Sequence, residues 1–126
     1  MKSRTVNSGI SLLNFDDTLQ KQPLLRGYPV EWIDFSDLHG CHGYCSFDSL
    51  RKIQNRLQSR KHKRITLIGN GNYHYVTYVL LSEIRQPFTL ILFDHHTDLA
   101  HSGDIPFISC GSWVSTALRT LPLLNR

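Results

Sequence analysis

Apolar and polar positions recur along this chain with two different periods, and the switches between them mark the elements. Residues 9–15 (GISLLNF) form a short apolar run closed by Asp16 and Asp17, and they predict a buried strand. Residues 18–28 read as loop. Residues 29–35 (PVEWIDF) alternate apolar with polar, which suits a second strand. A glycine-rich loop, DLHGCHGYC, follows. Ser46 or Asp48 then stands where it can cap a helix whose Phe47, Leu50, Ile53 and Leu57 recur at helical spacing. Residues 64–69 (RITLIG) predict a strand and NGN a turn. Residues 73–85 predict an apolar helix through Val76, Val79, Leu80 and Ile84. After Pro87, residues 88–93 (FTLILF) form the most hydrophobic predicted strand. A loop to Ser109 leads into a helix over 112–121, with Trp113, Ala117 and Leu118 on one face. Trp113 and Val114 are read there as packing residues. The terminal LPLLNR has the look of another strand beginning.

Strand and helix alternate three times, the pattern of βαβ units around a parallel sheet, so the expected class is α/β in a single domain over residues 1–126. The runs at 64–69 and 88–93 are almost wholly apolar, as strands covered on both faces require. No internal repeat interrupts the pattern.

Composition narrows this reading without changing it. Hydrophobic residues make up 40% and charged residues 19% of 126 residues, as in an ordinary globular domain. No apolar run approaches the ~20 residues of a membrane span, and the first fifteen residues lack a signal-peptide pattern. The expectation is a cytoplasmic protein without a membrane partner. Cys41, Cys45 and Cys110 are an odd number in such a chain and are expected to be thiols. The net charge of +4 owes much to Arg51, Lys52, Arg56, Arg60, Lys61, Lys63 and Arg64. With no aromatic residues interleaved, that cluster reads as a solvated helix face and turn, not a nucleic-acid surface.

The chemistry is concentrated where the strand at 88–93 stops. Asp94, His95, His96, Thr97 and Asp98 follow Phe93 directly. Strand alternation would put Asp94, His96 and Asp98 on one side, at the carboxyl edge where parallel sheets bind ligands. Two carboxylates and an imidazole held close together repel and desolvate badly without a cation. The donor types suit Mn²⁺, Fe²⁺ or Zn²⁺. The loop after 64–69 carries GNGNYHYV and opens at the same edge, so His74 is a candidate fourth ligand.

GNGNYH followed by LILFDHHTD resembles the arginase, agmatinase and formiminoglutamase superfamily, the ureohydrolases, over roughly residues 64–113. That resemblance implies a three-layer α/β/α sandwich with a mainly parallel sheet and a centre of two Mn²⁺ ions. It implies that Gly71 and His74 match the first motif, with His74 a terminal ligand. Asp94 would bridge both metals, His96 would bind the second and Asp98 the first. The chemistry implied is attack of metal-activated water on a non-peptide C–N bond of a small guanidino or amidine substrate. Asp98 and, in ISCGSW, Cys110 are the candidate catalytic residues. Tyr73 stands where the family has Asp, and Cys110-Gly111 where arginases carry a His-Gly pair. No Asp-x-Asp motif follows Asp98, so the match is to the N-terminal half of the family fold. A half-sheet would expose unpaired backbone, which favours homo-oligomers.

Other readings fit part of the same residues. Asp94-His95-His96 matches the tripeptide of the DHH phosphoesterases, which use Mn²⁺, but that reading leaves Asp98 and GNGNYH unexplained. His39, Cys41, His42 and Cys45 have irregular spacing for a zinc site. A non-catalytic arginase-like fragment would retain the α/β scaffold without the full metal centre.

Overall fold

The computed structural model describes residues 6–101 and 103–126. The chain is mixed α/β and forms two compact units. One runs as far as His39 and includes Lys52–Asn70; the other comprises Gly40–Arg51 and Gly71–Arg126. Among the described residues, no helix is long and apolar enough to cross a membrane.

The first unit is built on a parallel sheet. Strand β1 (Ile10–Asn14) lies in its centre, with β2 (Glu31–Asp34) on one side and, on the other, the strand Ile65–Leu67. All three were expected from the apolar pattern. The central strand is the most buried, with Leu12 and Leu13 sealed from solvent. A hydroxyl contact between Ser11 and Thr66, 3.2 Å apart, joins β1 to the strand Ile65–Leu67. That pairing begins at Gly9, whose carbonyl accepts from the amides of Arg64 and Ile65. Gly9 has φ +76°, and a Cβ there would lie 2.7 Å from the Arg64 side chain, so only glycine fits. Phe35 is fully buried and stacks on Phe15 with ring centroids 4.9 Å apart. The Arg56 guanidinium reaches both carboxylate oxygens of Asp37, at 2.6 and 2.7 Å.

The predicted helix after Ser46 is α1 (Phe47–Leu57). Of the two candidate caps, Ser46 does the work: its hydroxyl accepts the Ser49 amide at 3.1 Å. Leu50, Ile53 and Leu57 are buried at the expected spacing, while Phe47 remains exposed.

In the second unit, β3 (Tyr44–Ser46) pairs antiparallel with the strand Phe107–Ser109. Both segments were expected to be loop. Three-residue strands carry too few positions for a period to be visible, and their pairing is non-local. In chain order the strand Ile65–Leu67 is therefore β4 and Phe107–Ser109 is β5. Helices α2 (Val76–Ser82) and α3 (Trp113–Thr120) pack against each other. They bury Val76, Val79, Trp113, Val114 and Ala117, together with Tyr75 just before α2. Residues 73–75 were expected to open α2; instead Gly71–Tyr73 forms a 3-10 turn.

The segment 88–93 departs most from expectation. Phe88 makes one parallel bridge with Leu124, fixed by Phe88 donating to the Leu123 carbonyl and Asn125 donating to that of Phe88. Where the C-terminus was expected to begin a strand, the described residues form this single bridge and no strand. Beyond Phe88, residues 89–93 join no ladder among the described residues. Ile91 is 74% exposed and Phe93 96%. Apolar sequence favours extended backbone, but a sheet strand also needs a neighbour to share its hydrogen bonds.

Candidate metal centre

The described residues contain one cluster able to hold a metal ion: His74, Asp94 and Asp98, each offering one donor atom, all within 4.8 Å of one another. His74 comes from the turn before α2, where its amide donates to the Gly71 carbonyl at 3.2 Å. Its Nδ1 lies 3.2 Å from Asp94 Oδ2 and 3.3 Å from Asp98 Oδ2. The ring also sits against Trp113, with centroids 5.0 Å apart.

The two aspartates meet by bending, not by strand alternation. The Asp94 carboxylate turns back to accept the His96 amide at 3.0 Å, and the chain bends at His95 and His96. Asp98 then takes a left-handed conformation, φ +53°, which an aspartate tolerates at a cost of about 1 kcal/mol. Its carbonyl accepts the Ser115 amide, and the neighbouring Ala100 amide donates to Gly111. This path carries the Asp98 side chain inward and His96 outward. The His96 side chain is 79% exposed, and its Nδ1 is 3.9 Å from Asp94 Oδ1. His96 therefore lies outside the three-residue cluster, although it lines the same cavity. His95 is exposed beside it.

Asp98 is the buried member. Its Oδ2 accepts a hydrogen bond from the Trp113 indole at 2.8 Å. Trp113, expected from sequence to serve packing alone, thus has a second role at the site. The available signal was that an indole N–H can only donate, so a buried tryptophan calls for an acceptor nearby. Burial pushes the Asp98 carboxyl above its ordinary range, the indole bond opposes that rise, and the charge of Asp94 adds to it. Asp94 moves the other way: the His96 amide holds it below the ordinary range.

A cavity of 670 Å³ opens onto the cluster, walled in part by Gly71, Cys110 and Gly111. Cys110 donates its thiol hydrogen to the Gly71 carbonyl at 2.9 Å, and burial pushes its pKa up, so it is a neutral thiol here. Its approach to α3 is fixed by Ser112, whose hydroxyl accepts the Ser109 amide.

The donor set fits a cation. One ring nitrogen faces two carboxylates and has at most one proton to offer them. A cation about 2.1–2.2 Å from each donor would separate neighbouring donors by about 3.1 Å in an octahedral set or about 3.5 Å in a tetrahedral one. The observed 3.2 and 3.3 Å fall between these values.

No family model matches the chain. No solved structure matches it. An uncharacterized protein of Thermotoga maritima is 29% identical over 116 residues, covering 92% of this chain and 46% of the relative. The chain thus spans about half the length of the curated relative it matches.

Proposed function

We propose that this chain carries the metal-binding portion of an arginase-like hydrolase that cleaves a non-peptide C–N bond of guanidino or amidine type. On this reading the α/β scaffold is part of a three-layer α/β/α sandwich. The observation that carries the proposal is the meeting of His74 with Asp94 and Asp98 at the mouth of a 670 Å³ cavity. These three residues would hold the ion, with Mn²⁺ the expected metal. His96 lines the same cavity, its side chain largely in solvent, and would stand outside the set that holds this ion. A divalent cation bound there supplies hydroxide near neutral pH by lowering the pKa of a water. Trp113 holds the Asp98 carboxylate in orientation, and the cavity has the volume of a small-molecule site. Cys110 and Gly71 form its wall, where a substrate would meet a neutral thiol.

The Asp-x-Asp pair expected of a two-metal centre is not found after Asp98. The expected stoichiometry is therefore one Mn²⁺ per chain. Isothermal titration of the apo protein with Mn²⁺, repeated on Asp94→Ala, tests this: wild type should bind one equivalent and the variant none. Binding left intact in the variant would refute the site. A parallel assay follows urea or ammonia release from guanidino and amidine compounds against hydrolysis of a model phosphodiester. Phosphodiester cleavage alone would overturn the substrate class.

A further inference from the structure

Cys41 and Cys45 are the two buried thiols of the second unit, and their sulfurs lie 3.6 Å apart. We propose that they are a reversible oxidation site, closing to a disulfide that loosens the turn carrying His74. The inference does not depend on the metal reading.

Sulfurs at 3.6 Å must approach by about 1.5 Å to reach bonding distance. The loop between them can supply that movement. Cys45 is anchored in β3 opposite Ile108, whereas Cys41 lies in irregular chain. Gly40 and Gly43 both have positive φ, +69° and +79°, and a Cβ added at either would meet nothing within 4 Å. His42 between them is exposed. Oxidation is thus expected to move Cys41 toward Cys45 and not the reverse.

The chemistry closes with hydrogen peroxide as oxidant. One thiol sulfur attacks the peroxide O–O bond, giving a sulfenic acid and releasing water. The second thiol then displaces the sulfenic hydroxyl as a second water, forming the S–S bond. Two thiols lose two electrons and peroxide gains them; a dithiol reductant reverses the change by exchange. Burial slows the first step, and desolvation pushes Cys45 up to about 12, so little thiolate is present at neutral pH. The pair therefore answers sustained oxidation, not brief exposure.

The moving loop is tied to the site by three bonds. The Tyr75 hydroxyl donates to the Cys41 carbonyl. The Gly43 amide donates to the Asn72 carbonyl at 2.8 Å, and the Gly43 carbonyl accepts the Cys110 amide at 3.0 Å. Asn72 and Tyr75 flank His74 in sequence, so displacing residues 41–43 disturbs the turn that aims its imidazole.

The test treats the folded chain with hydrogen peroxide, quenches, and alkylates remaining thiols with iodoacetamide. Cys41 and Cys45 share one tryptic peptide. That peptide should lose two hydrogen atoms, resist alkylation, and recover both alkylation sites after dithiothreitol. Cys41→Ala and Cys45→Ala, each checked for folding by circular dichroism, should abolish the mass change. Amide exchange over residues 71–76 should accelerate at least threefold in the oxidised wild type and return on reduction. Oxidation confined to Cys110, or a disulfide that leaves exchange over 71–76 unchanged, would overturn the proposal. A Mn²⁺ titration that fails in both redox states would count against the metal site while leaving this result intact.

Discussion

Trp113→Phe separates the packing role of this residue from its hydrogen bond. Phenylalanine keeps an aromatic ring beside His74 and removes only the indole N–H and part of the bicycle. Trp113 is fully buried and Asp98 is 7% exposed, so water cannot replace the lost donor freely. A hydrogen bond to a charged acceptor contributes about 1.5–3 kcal/mol, and the void left by the smaller ring adds about 1 kcal/mol. Urea unfolding of the metal-free chain should therefore show a loss of about 2.5–4 kcal/mol. The same change acts on the cation site. Without the indole, burial pushes the Asp98 carboxyl further up and its rotamer is no longer fixed. Loss of such an orienting partner typically weakens metal binding 10–100-fold, or about 1.4–2.8 kcal/mol. Calorimetric Mn²⁺ titration of both proteins, at a urea-free pH near neutral, reads this directly. A variant that loses stability yet binds Mn²⁺ within twofold of wild type would refute the argument that Trp113 positions Asp98.

Three further outcomes follow from other parts of the structure. Phe93→Lys, at a residue 96% exposed on a segment that joins no ladder among the described residues, should reduce concentration-dependent association in sedimentation velocity; an unchanged profile would show that this edge does not self-pair. Asp37 is held below the ordinary carboxylate range chiefly by its hydrogen bonds to Arg56, so its contribution is present above that range and lost as pH falls through the lowered value. Asp37→Asn should therefore lower stability slightly at neutral pH, leave it unchanged at the acid end, and so flatten the acid limb of a stability–pH curve below about pH 4; identical acid limbs would contradict the pairing. Ser46→Ala removes the side-chain acceptor for the Ser49 amide and should cost about 1 kcal/mol in urea unfolding, with no loss at all refuting Ser46 as the cap of α1.

Which features could be read from the residue order depended on how local their causes were. The strands Ile10–Asn14 and Ile65–Leu67 were legible because burial there produces unbroken apolar runs. Helix α1 was legible because Leu50, Ile53 and Leu57 repeat at the helical period, with a serine at the right offset. The pairing of Tyr44–Ser46 with Phe107–Ser109 was hidden, since each partner is three residues long and lies about sixty residues from the other. The hydrophobicity of 88–93 was visible, but the lack of a ladder beyond Phe88 was not. Period reports which face is apolar and says nothing of who occupies the neighbouring edge.

The candidate site shows the same division at finer scale. Donor types at 94–98 were plain from composition, and His74 followed from its position after a predicted strand. Their arrangement was not, because it rests on two local backbone choices that a strand pattern does not contain. The Asp94 side chain captures the His96 amide, and Asp98 adopts a left-handed φ. Together they replace a two-residue alternation with a four-residue spacing, so that Asp94 and Asp98 face His74 while His96 swings into solvent. A left-handed aspartate carries a backbone cost, and it persists because surrounding bonds hold it: the indole on its carboxylate and the Ser115 amide on its carbonyl. Both bonds come from α3, fifteen or more residues downstream. The helix that looked in sequence like packing is thus the element that sets the geometry of the site.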